Sequence, residues 1–131
     1  MMKVALAFAC VVVLAADGAS AGPVHSPEAQ AKLDSLLNGR VAGETRRCIA
    51  VDKTNHPIGI DDATLLFRDG PRIWRTEISG SFNCGAIDKQ STIVTESGAS
   101  RLCAGDKLVF FENGNPGGAC YLGEFTPFQK P

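Results

Sequence analysis

The sequence predicts a mainly β (α+β) domain: a small bent antiparallel sheet, or partly closed barrel, of five to six strands with one N-terminal helix. Three observations carry this. A single stretch near residue 30 has helical periodicity, everything after it is short β-type runs broken by Gly, Pro, Asn and Asp, and four cysteines are spread along those runs.

The chain of 131 residues opens with Met1, Met2 and Lys3, continues as an apolar run over 4–16 and reaches Ala19-Ser20-Ala21. A short positive region, an apolar core and an A-x-A site in that order read as a secretory signal peptide over 1–21, cleaved between Ala21 and Gly22. The run is about 13 residues, short of the roughly 20 that span a bilayer, so no membrane anchor is expected after cleavage. Cys10 lies inside the run behind the bulky Phe8, a poor lipobox. Residues 22–131 then form one disulfide-stapled domain, and the expected location is periplasmic or secreted.

Ser26-Pro27-Glu28 reads as a helix start. The serine caps free amides, the proline suits the first helical position, and the glutamate faces the positive end of the dipole. Ala29, Leu33, Leu36 and Leu37 fall on one stripe, which predicts a helix over about 27–38, closed by Asn38-Gly39. Residues 22–25, including His25, read as a flexible leader. Strands are expected from about residue 47, over 47–51, 63–68, 72–78, 91–95, 107–112 and 119–122, with a hairpin turn at Asp69-Gly70-Pro71. Within 72–78, Trp74, Thr76 and Ile78 share the face better suited to a core. The run 107–112 is an aggregation hazard if bare, which predicts a protected, central strand. Residues 113–118 read as a glycine-rich hairpin loop.

Cys48, Cys84, Cys103 and Cys120 remain after cleavage, an even set in an exported domain, and so predict two disulfides. The favoured pairs are Cys48–Cys120 and Cys84–Cys103. Register around a hairpin near Asn115 weighs against joining Cys103 to Cys120, and the remaining pairing stays open. No metal and no cofactor are expected, because the cysteines lack the close C-x-x-C spacing of a zinc site. His25 is also one position late for an amino-terminal copper site.

With 13 Lys/Arg against 14 Asp/Glu the net charge is −1, and Lys3 and Asp17 are the only charges in the leader. This balance gives no electrostatic reason to expect nucleic acid as a partner. Candidate chemistry is sparse. Asp61 and Asp62 are neighbouring carboxylates, and His56 is the credible base beside them, but no nucleophile elbow accompanies it. Arg68, Arg72 and Arg75 decorate the predicted hairpin, where they form either an anion clasp or a mixed solvated face with Asp69 and Glu77. Trp74 is a core anchor or a stacking platform.

Gly39-Arg40-Val41-Ala42-Gly43 before Cys48-Ile49, Ile60-Asp61-Asp62-Ala63-Thr64-Leu65-Leu66-Phe67, Leu102-Cys103-Ala104-Gly105-Asp106 and Ala119-Cys120-Tyr121-Leu122-Gly123-Glu124-Phe125 together resemble an uncharacterised family of small secreted, four-cysteine bacterial proteins. Phe82-Asn83-Cys84-Gly85 matches only loosely. The resemblance implies export, a four-cysteine framework and a compact β-rich fold, and supplies no substrate or catalytic residue. The reading leans to a non-catalytic module that binds an envelope protein, polymer or small ligand. A hydrolase using Asp61 or Asp62 with His56, or a secreted enzyme inhibitor inserting the 113–118 loop, is the alternative.

Overall fold

The computed structural model describes residues 24–50, 57–88, 90–95 and 100–131. The expected signal peptide and its cleavage site, the end of the 47–51 strand and His56 lie outside these residues.

Helix α1, Pro27–Leu37, begins as its sequence dictates. Ser26 Oγ accepts the amide of Ala29 at 3.2 Å, and Gly39 follows the last turn with φ +70°. Among the described residues nine strands follow: β1 Val41–Ala42, β2 Cys48–Ala50, β3 Pro57–Asp61, β4 Thr64–Asp69, β5 Arg72–Phe82, β6 Thr92–Thr95, β7 Arg101–Cys103, β8 Lys107–Glu112 and β9 Asn115–Gln129. All pair antiparallel. The main sheet runs β3-β4-β5-β9-β8-β6 and curls into a half-barrel, while β2 and β7 form a separate two-stranded ribbon.

Strand β9 is the spine. One of its edges carries β5 over most of its length, from Ile73↔Phe128 to Phe82↔Ala119. The other edge takes β8 along its first half, and β1 with the bridge Arg46↔Phe125 along its second. The run 107–112 is flanked on both sides, by β9 and β6, which protects its edges.

Alternation along the strands gives two apolar layers. Leu65, Phe67, Trp74, Ile78, Leu108, Phe110, Leu122 and Phe125 fill the inside of the curl, where the Phe67 and Phe125 rings meet edge to face at 6.0 Å. Leu66 and Ile73 point outward and, with Ile60, are covered by Ala29 and Leu33 of α1. Ile73 was expected on the polar face; the docked helix is what buries it. Farther along, the outer face is bare: Phe82 is 67 % exposed, and Val94 and Tyr121 are also exposed.

Two turns follow their residues closely. Asp69 pairs with Arg72 around Gly70-Pro71, with φ positive at the glycine and held negative by the proline ring, the pattern of a type II′ turn. Glu112 pairs with Asn115 around Asn113 and Gly114, both at positive φ, as a type I′ turn requires. The expected 113–118 loop is therefore a two-residue turn followed by strand. Gly117 and Gly118 are glycine within the strand because the Phe110 ring lies against them, and a Cβ on Gly118 would also sit 2.1 Å from the Phe82 carbonyl. A comparable contact explains β3, which opens with Pro57 and is not among the expected strands. A Cβ on Gly59 would lie 2.3 Å from the Gly85 carbonyl, so glycine is what allows this edge strand to pack on the turn 84–86.

The disulfides join Cys48 to Cys103 and Cys84 to Cys120, which corrects both favoured pairs. Cys48 stands directly opposite Cys103 in the β2–β7 ribbon, one step from the Ala104 amide to Arg47 carbonyl bond, hence at a non-hydrogen-bonded position where side chains are closest. Cys84 reaches Cys120 because β5 continues to Phe82 beside Ala119, farther than its apolar pattern indicated. The second bridge is inside the core, both cysteines being 0 % exposed.

With loops of 55 and 36 residues, chain entropy assigns each bridge about 4 kcal/mol. Peptide mapping without reduction is expected to recover the linked pairs 48/103 and 84/120. Cys48→Ala/Cys103→Ala is expected to lose about 4 kcal/mol in urea unfolding, and a linked 48/120 peptide would contradict the fold.

Candidate functional site

The two carboxylates singled out by sequence are both engaged in holding the backbone. Asp61 closes β3, and its Oδ1 accepts the amides of Ala63 at 2.9 Å and Thr64 at 3.0 Å, which shapes the β3–β4 turn. Its Oδ2 pairs with Nδ1 of His25. Asp62 accepts the amide of Gly85 at 3.2 Å and so ties the same turn to residues 84–86. Asp61 is thus the last residue of β3 and Asp62 the first of the turn into β4.

His25, expected in a flexible leader, is fixed, with its side chain only 3 % exposed. The cause lies one residue on: Ser26 caps α1, and a helix docked through Ala29 and Leu33 carries the preceding residue onto the sheet with it. Lys32 adds a second tie, donating from Nζ to the Gly59 carbonyl at 2.7 Å. The N-cap signal before an amphipathic helix was enough to place His25 near the body, although not to name its partner. His25 Nε2 is buried without a hydrogen-bond partner, as is Ser81 Oγ, so no relay joins them.

Burial raises the pKa of the Asp61 carboxyl. The hydrogen bond from His25, the amides of Ala63 and Thr64 and the charge on His25 lower it by more, so the group is held below its ordinary 3.8. Its two oxygens serve the turn and the tether.

The three arginines separate. Arg68 and Arg75 lie on the outer face, level with Ile73 and Leu66, and Arg75 Nε donates to Glu77 Oε1 at 2.8 Å. Arg72 lies on the opposite face with Trp74, so the hairpin does not form a clasp from all three. Instead Arg72 belongs to a compact trio. Trp74 Nε1 donates to Asp69 Oδ2 at 3.1 Å, Arg72 Nη2 lies 3.5 Å from the same oxygen, and the guanidinium carbon sits 5.2 Å from the centre of the indole. Trp74 is a core residue, 3 % exposed, as its alternation predicted.

Arg72 and Trp74 of this trio form one wall of a cleft of about 420 Å³. The opposite wall is residues 41–46, held to β9 by the Gly43 amide on the Pro127 carbonyl at 2.8 Å and by the paired bonds of Arg46 with Phe125, each 2.8 Å. Val41, Trp74 and Pro127 supply apolar surface, and Arg46, Arg72, Lys130 and Glu44 supply charge. Sequence reasoning identified only Arg72 and Trp74 here, because the strand β1 and the return of β9 past it come from opposite ends of the domain.

Among the described residues, no group of three His, Cys, Asp or Glu side chains is placed to hold a metal, and no helix is long and apolar enough to cross a membrane. Comparison with protein-family models, curated proteins and solved structures found no match.

Because the folded pKa of Asp61 is depressed, its stabilisation is present above about pH 3.8 and is lost as pH falls through the folded value. Asp61→Asn is expected to be less stable than the parent near pH 7 and to show a flatter acid limb. Urea unfolding between about pH 2 and pH 7 checks this, and parallel curves for the two proteins would refute the tether.

Proposed function

We propose that this chain is an exported binding module, periplasmic or secreted and without catalytic activity, belonging with the small four-cysteine secreted proteins it resembles. Its ligand site is the cleft between residues 41–46, the start of β5 and the end of β9. The observation that carries the reading is that cleft. Its volume lies in the range of small-molecule sites, and it combines an apolar floor with a few charged groups. Two disulfides suit an oxidising compartment. The hydrolase reading loses support because Asp61 and Asp62 are committed to backbone amides and His25. The inhibitor reading loses its inserting loop, since most of 113–118 is paired strand.

Trp74 is the sole tryptophan and lines the cleft, so its emission is a built-in reporter of occupancy. Titrating the purified, disulfide-bonded protein with low-molecular-mass fractions of envelope extract is expected to shift that emission saturably. An unchanged spectrum across all fractions would remove the reading.

A further inference from the structure

The chemistry of the cleft is uneven. Three cationic side chains, Arg46, Arg72 and Lys130, line it with one acidic side chain, Glu44. Asp69 lies behind Arg72 and already serves the indole N–H and the guanidinium. Among the described residues, the side chains of Arg46, Lys130 and Glu44 make no hydrogen bond or ion pair. Arg72 is flanked from behind by Asp69 and from the side by the Trp74 ring, and among the described residues its other N–H groups make no hydrogen bond. A guanidinium held in this way loses little freedom when it takes a second carboxylate through two parallel N–H bonds. The Arg46 backbone is likewise immobile, bonded in both directions to Phe125.

Resting on the cleft reading above, we infer that the ligand is a small monocarboxylate with an apolar body. Arg72 binds the carboxylate, and Arg46 and Lys130 supply further positive charge around it. The apolar part lies against Val41, Trp74 and Pro127. Glu44 on the same wall opposes a second negative charge, so the site discriminates against dicarboxylates.

The test uses the purified, disulfide-bonded protein, with calorimetry for affinity and Trp74 emission for location. The probes are hexanoate, hexanol, hexylamine, adipate and inorganic phosphate. Hexanoate is expected to bind and to shift the emission, with hexanol and hexylamine at least about tenfold weaker. Adipate is expected to bind less well than hexanoate, and Glu44→Gln to narrow that gap. Arg72→Ala is expected to weaken hexanoate about tenfold or more, Arg72→Lys to restore part of the loss, and Arg75→Ala on the outer face to change nothing. Arg46→Ala, an exposed position, provides a second weakened variant should the Arg72 variants fold poorly. Equal affinity for hexanoate and hexanol, or binding of phosphate without hexanoate, would overturn the ligand class. If envelope fractions shift Trp74 but hexanoate neither binds nor competes, this inference falls and the cleft reading stands; silence from both removes both.

Discussion

The pairing of β5 with β9 is the constraint on which the other parts depend. β9 spans fifteen residues, and no single partner covers both its edges, so the sheet can curl only because β5 stays alongside while the opposite edge changes partner from β8 to residues 41–46. Irregular register between Thr76 and Ile78 and between Ser79 and Phe82 accommodates the bend. At the first of these sites the buried Thr76 hydroxyl accepts the amide of Gly123 at 3.1 Å, replacing a bond that the ladder would otherwise lose. The Cys84–Cys120 bridge fastens the far end of the same pair inside the core.

Two consequences follow on opposite faces of the sheet. On the outer face β3, β4 and the start of β5 are covered by α1, with His25 and Lys32 tying the helix to Asp61 and to the Gly59 carbonyl. At the other wall of the domain, the return of β9 past residues 41–46 leaves a gap over Trp74, and charged side chains from three separate segments meet there. Asp61, Asp62 and His25 are thus used for architecture, whereas the cleft is lined by two arginines, a lysine, a glutamate and an apolar floor.

Much of the local structure was legible because its causes are local. The Ser26 cap, the stripe from Ala29 to Leu37, the Asp69-Gly70-Pro71 turn and the alternation around Trp74 each depend on residues within a few positions of one another. Strand β3 was illegible because its proline and glycine argue against a strand unless Gly85 is known to press on it. Strand β7 is three residues long and carries no period. Missing it cost the disulfide assignment, since Cys103 could not be set opposite Cys48 without it.

By itself the sequence determined the structural class of the protein: one capped amphipathic helix, a β-rich body and four cysteines in an even set. Those properties follow from residue type and short-range spacing, which act before the chain has closed on itself. Only the tertiary structure decided which cysteines meet, that His25 serves Asp61, and that Arg46, Arg72 and Lys130 share a cleft with Trp74. Each of these joins residues far apart in the chain, and their meeting depends on strand register and sheet curvature, which are set by the packing of the whole core and are written in no single segment.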